Sequence, residues 1–317
     1  MTDMKGVFAG PNGLRPGWGI AIFIALLAIL VAARSIPLGW IGSALGVAPH
    51  NPGSAPPLFE VLREGSLAIL IAGATFIMAR IEHRSLSSYG FAGRHSIRNF
   101  MTGALCAMVF WSVLMGLMAL ANAVKFDGWA LHGFAVLQYG LFWALFGLLV
   151  GFSEETVFRG YLQHTLARGI GFWPAALTCS VAFGLAHLLN ADESLAGIVV
   201  VILFAIFLSL CLKLTGSLWW GIGFHSAIDW AESFFYGTAN SGNAVVTGHL
   251  LSSHPAGDVR LSGGADGPEG SFICAALVLL LILFTAAATR LKGTRLRAMS
   301  RPDSPGTWPT ARKTSSP

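Results

Sequence analysis

The sequence predicts an all-α polytopic membrane protein, a helical bundle of about eight transmembrane helices, and three observations carry that prediction. Of 317 residues 54% are hydrophobic and only 11% charged, with a mean hydropathy of +0.66, so polar side chains are too few to cover a water-soluble globule. Apolar runs long enough to cross a hydrocarbon layer of about 30 Å, which takes about 20 helical residues, recur along the whole chain. Most charges fall between these runs. The formal net charge of +5 might suggest nucleic acid, but the basic residues flank apolar runs instead of forming a patch. They read as topology signals, with the lipid bilayer as partner and no nucleic acid.

Taken in order, the apolar windows are 17–34, 59–80, 99–121, 131–151, 173–190, 195–213, 217–236 and 272–289. The stretch before the first is polar and Gly-containing, and the first run is long enough to remain as a span, so no cleavable signal is expected. Trp18, Trp40, Trp219 and Trp220 near span ends read as interfacial anchors. Arg80, Arg84, Arg94 and Arg98 follow the second span, and Arg290, Lys292, Arg295, Arg297 and Arg301 follow the last. The positive-inside rule puts both groups in the cytoplasm. Eight spans then bring the N-terminus, with Lys5 and Arg15, to the same side, and leave the Gly237 to Ser271 loop, whose one basic residue is Arg260, outside. Arg outnumbers Lys and Ala and Gly abound, which suits a bacterial inner (cytoplasmic) membrane.

Four regions follow: N-terminal helices over 1–130, a core over 131–236, an outer loop over 237–271, and a last helix with a basic tail over 272–317. The loop, rich in Gly, Ser, Asn and Pro, reads as an irregular connector. The tail from Arg295 reads as disordered. Cys106, Cys179, Cys211 and Cys274 lie inside apolar runs without metal-site spacing and read as small core residues.

Within the core, three clusters break the apolar pattern, although a charged side chain at mid-membrane costs roughly 2.5 to 3.5 kcal/mol. The first is Gly151-Phe-Ser-Glu-Glu-Thr-Val-Phe-Arg-Gly160. Glu155 and Arg159 are four apart and can pair along a helix, which turns Glu154 about 100° away and frees it. The second is His187 with Phe183 four residues before it, where packing is the expectation for Phe183. The third is His225 with Asp229 four residues on and Glu232 a turn further. A carboxylate at that spacing can accept from one imidazole nitrogen and set the tautomer of the other. Each cluster alone has an ordinary explanation, as a snorkelling group, a core histidine or a helix-stabilising pair. Three such explanations must hold at once on three helices.

A carboxylate and two histidines in a membrane cavity offer a general base for water and donors for an oxyanion, the requirements of peptide-bond hydrolysis. Glu154, His187 and His225 can equally hold a zinc ion with an open position for water. No other cofactor is indicated. A shared site needs Glu154 and His187 level, so the fourth helix is expected to run on through Arg159 to about Arg168. Two further classes remain: a transporter relaying protons through the same groups, and an idle immunity or scaffold protein.

The order Glu-Glu-x-x-x-Arg, Phe-x-x-x-His, His-x-x-x-Asp over residues 131–236 resembles the CPBP family, the CAAX-processing and bacteriocin-processing intramembrane proteases also called Abi or Rce1-like. The resemblance implies an endopeptidase acting on a membrane-bound protein or peptide, with a glutamate-dependent or metalloprotease mechanism. It further implies that Glu154 activates water, His187 orients it or serves as acid, and His225 and Asp229 stabilise the oxyanion. Glu155 and Arg159 are their structural and electrostatic partners. The prenyl-protein branch typically has Asn where this chain has Asp229.

Overall fold

The computed structural model describes residues 8–10, 13–47, 57–91, 95–244 and 247–299. Eight long helices follow the eight apolar windows. They are α1 (Pro16–Ala44), α2 (Pro57–Ile81), α3 (Ser96–Leu120), α4 (Phe134–Ile170), α5 (Phe172–Leu189), α6 (Leu195–Thr215), α7 (Leu218–Trp230, continuing as a π-helix over Ala231–Tyr236) and α8 (Phe272–Met299). Seven helices among the described residues are long and apolar enough to cross a membrane, and α7 is the one of the eight that is not. Its α-helical part has 13 residues and carries His225 and Asp229. The chain is an integral membrane protein built as an all-helical bundle. Its perimeter suits lipid, since large apolar side chains such as Ile69, Ile97, Leu105 and Leu283 are exposed.

The helix α7 is buried because glycines let its neighbours approach. A Cβ at Gly103 of α3 would overlap the Trp220 carbonyl, and one at Gly223 of α7 would overlap the Phe100 carbonyl. On the other side, a Cβ at Gly151 of α4 would sit 3.0 Å from Ser226 N, and one at Gly147 would sit 3.2 Å from the Asp229 Cβ. Small residues four apart are the usual means by which membrane helices close on one another. Around this contact Trp111, Phe204, Phe207 and Phe224 form the main hydrophobic core. The four cysteines are free; Cys106 is partly buried and the other three are buried, as core residues should be.

The fourth helix runs on as expected, past Arg159 to Ile170, and Thr156–Gln163 within it is π-helical. Two expectations need correction. The Gly237 to Ser271 segment is no plain connector: β4 (Leu251–Pro255) pairs antiparallel with β3 (Val124–Trp129), and a helical turn follows at Val259–Ser262. Long-range pairing of this kind leaves no local pattern in a Gly- and Ser-rich stretch. The last helix also continues to Met299, five residues into the stretch expected as disordered tail. Lys5, Arg94, Arg301 and the rest of the tail lie outside the described residues.

Candidate active site

The first cluster sits where α4 changes pitch. Its α-helical part ends at Glu155, and the following turns are π-helical, a widening that recurs at functional sites. Glu155 and Arg159 pair as expected, with Arg159 Nη1 donating to Glu155 Oε1 at 2.8 Å and side chains only 1% and 2% exposed. The ring of Phe183 lies 4.4 Å from the guanidinium carbon, so this buried cation has a carboxylate on one side and an aromatic face on another. Glu154 points elsewhere, keeps 33% of its side chain accessible, and leaves Oε2 without a hydrogen-bond partner.

His187 lies near the end of α5. Its Nδ1 is 2.9 Å from the Phe183 carbonyl, and a carbonyl only accepts, so Nδ1 carries the proton. The other nitrogen, Nε2, is then the acceptor of the neutral ring. Phe183 meets His187 edge-on at 4.7 Å between centroids and His225 at 6.2 Å. It packs, as expected, but it also touches groups from all three clusters, a role its spacing from His187 could not reveal.

His225 is held differently from the expectation. Its Nδ1 lies 3.2 Å from Glu155 Oε1, whereas Asp229 Oδ1 is 3.9 Å from Nε2, too long for a hydrogen bond. Glu155 therefore orients the ring, and the i, i+4 carboxylate does not. The reason is the close contact of α4 with α7: a Cβ at Gly221 would be only 3.1 Å from Glu155 Oε2, so glycine there admits the carboxylate. The free face of His225, at Nε2, looks toward Glu154 Oε2 at 3.6 Å. Asp229 in turn accepts from Asn240 Nδ2 at 3.2 Å.

Glu154, His187, His225 and Asp229 all line one cavity of about 790 Å³. The extended fourth helix brings Glu154 to the same cavity as His187, as a shared site requires. Several polar residues of the lining, Glu60, Arg63, Glu64, Asn190, Asn240 and Glu269 among them, carry no signal in the sequence. Glu64 of α2, 9% exposed, was hidden in a window that reads as an ordinary span. Asn240 belongs to a loop whose composition is all turn formers. Glu232 is fully buried in the π-helical end of α7, and both its oxygens lack a partner.

Among the described residues no three His, Cys, Asp or Glu side chains are arranged to hold a metal ion. His164 and Arg168 lie further along α4, where Arg168 pairs with Glu82 at 2.5 Å. His254 makes an exposed contact with Asp127.

Residues 136–231 fit the family described as type II CAAX prenyl endopeptidase Rce1-like, and no curated protein matches the chain. The matched stretch begins in α4 and ends in the first π-helical residue of α7, so it contains Glu154, Glu155, Arg159, His187, His225 and Asp229. The chain carries an Rce1-like domain over these residues, consistent with a CPBP family protease.

Proposed function

We propose that this chain is an intramembrane endopeptidase that cleaves a peptide bond in a membrane-associated protein or peptide, and that Glu154 is its general base. The observation that supports this is the convergence of Glu154, His187, His225 and Asp229 on one cavity inside an otherwise apolar bundle. Glu154 takes a proton from water while the water oxygen bonds to the scissile carbonyl carbon. His187 Nε2 accepts the second O–H of that water and so aims its lone pair. As the imidazolium, His225 donates from Nδ1 to Glu155 and from Nε2 toward the developing oxyanion, its charge compensated by Glu155, Glu154 and Asp229. The proton held by Glu154 then passes to the leaving nitrogen as the carbon–nitrogen bond breaks. Glu155 and Arg159 position His225 and are not themselves in contact with the reacting atoms.

The reading includes the setting of the enzyme. The termini face the cytoplasm of a bacterial inner membrane, on the strength of Arg84 just after α2 and of Arg290, Arg295 and Arg297 in the last turns of α8.

The test compares new protein termini by mass spectrometry in membranes from cells expressing the native chain, Glu154→Gln or His187→Ala at matched levels. Products that vanish in both variants support the hydrolytic reading and identify the substrate. Identical termini in all three would sink it and favour proton relay or binding.

A further inference from the structure

The carboxylate of Asp229 offers no hydrogen to an oxyanion, which leaves His225 as the only donor so far assigned. We infer that Asn240, outside the matched domain, is a further catalytic residue whose side-chain amide supplies the second oxyanion donor. This inference rests on the protease reading. Asn240 lines the same cavity, and its Nδ2 donates one hydrogen to Asp229 Oδ1 at 3.2 Å. An amide nitrogen carries two hydrogens. With one committed to Asp229, the other can point to the reacting carbonyl, and the carboxylate acts as the clamp that orients it. Asp229, 6% exposed with Oδ2 unpartnered, is thereby given a positioning role that its chemistry permits.

An oxyanion donor is effective only if it is held in place before the reaction, and the backbone around Asn240 is held on both sides. Asn240 and Asn243 bridge each other, with N to O distances of 3.0 and 2.8 Å. Between them Ser241 and Gly242 both have positive φ, 43° and 72°, the signature of a tight two-residue hairpin turn. A Cβ at Gly242 would overlap the backbone of Asp192 and Glu193, so glycine is needed for the turn to seat there. The seat is made of hydrogen bonds from separate elements. Ser241 N and Oγ donate to Glu269 Oε2 at 3.1 and 2.5 Å, and Asn190 Nδ2 donates to the Ser241 carbonyl at 2.9 Å. Gly242 N donates to the Asp266 carbonyl at 2.9 Å, and Asp192 N to the Gly242 carbonyl at 3.2 Å. A turn bonded this heavily to the α5–α6 link and to residues 266–269 serves to fix what its corner residue presents.

The test uses the full-length protein in proteoliposomes and a quenched peptide spanning the strongest cleavage site found in the termini comparison. Asn240→Asp keeps the shape of the side chain but removes the donor. It is expected to lower kcat by about 100-fold with KM nearly unchanged, because an oxyanion donor acts in the transition state alone. The exchanged pair Asp229→Asn with Asn240→Asp returns an amide to the site and removes the repulsion between two acids, so it should recover at least tenfold of that loss. Amide exchange at Ser241 and Gly242, measured on each variant, reports whether the turn is still seated. A native enzyme that cleaves while Asn240→Asp retains more than half of kcat overturns the inference and leaves the protease reading intact. Failure of the exchanged pair to recover activity with the turn still seated overturns it as well. A native chain that yields no products removes the protease reading and the inference with it.

Discussion

Two carboxylates packed in or against α4 are treated in opposite ways, Glu82 beside its C-terminal turns and Glu154 near its middle. Glu82, at the end of α2, is 1% exposed, and both of its oxygens are taken: Tyr161 donates to Oε1 at 2.6 Å and Arg168 to Oε2 at 2.5 Å, with Arg84 3.6 Å from the latter. Glu154 is a third accessible, has an oxygen with no hydrogen-bond partner, and faces a cavity. A buried charge that is fully coordinated ties helices together, here α2 to the end of α4. A charge left incompletely coordinated beside open space keeps its capacity to bind a proton or a substrate. The same residue type therefore serves structure in one place and is available for chemistry in the other.

That contrast can be broken by exchanging what each carboxylate can do. The largest effect is expected for Glu154→Gln, which should cut the rate of product formation roughly 1000-fold, within the range for loss of a general base, while the thermal unfolding midpoint stays near the native value. Loss of fold in this variant would mean that Glu154 is structural. Arg159→Ala should cost about 3 to 5 kcal/mol of stability, because it breaks a buried ion pair and leaves the Glu155 carboxylate with His225 as its one remaining partner among the described residues. Denaturant unfolding in mixed micelles measures this, and a cost near zero would show that Glu155 is solvated in some other way.

Glu82→Gln gives the mirror image of Glu154→Gln. It should destabilise by about 1.5 to 3 kcal/mol, the worth of hydrogen bonds to a charged group, and leave cleavage per folded molecule within a factor of about two. A large fall in specific activity would erase the distinction between the two sites.

The smallest effect concerns pH and the seat of the Asn240 turn. Burial, then Asp266, then Glu269 raise the Glu193 carboxyl to about 8, and burial also raises Asp266 and Glu269. A folded pKa above the ordinary carboxylate value favours the protonated form, so the contribution to stability is full below about pH 4.5 and is lost as pH rises through about 8. Amide exchange over 240–243 and 264–270, corrected for intrinsic rates, should therefore accelerate from pH 6 to pH 9, and Glu193→Gln should flatten that rise. A profile unchanged by the substitution would remove Glu193 as the cause.

The amino-acid sequence by itself determined the fold class, the number of apolar helices to within one, and the residues that do not belong in lipid. These are local properties: a run of about 20 apolar residues must cross or be buried, and a glutamate or histidine inside it is conspicuous wherever its neighbours lie. Even the pairing of Glu155 with Arg159 was legible, because both partners are on one helix, four residues apart. Only the tertiary structure decided which groups meet across helices. The i, i+4 rule that worked for Glu155 and Arg159 misassigned the partner of His225, since Gly221 and the glycines of α4 let Glu155 come closer than Asp229 does. Glu64 and Asn240 reach the cavity from outside the core segment, one from an unremarkable span and one from a loop rich in turn formers. Helix periodicity specifies which face of a helix a side chain is on, but the helix that packs against that face is chosen by close backbone contact, and that information is spread over the whole chain.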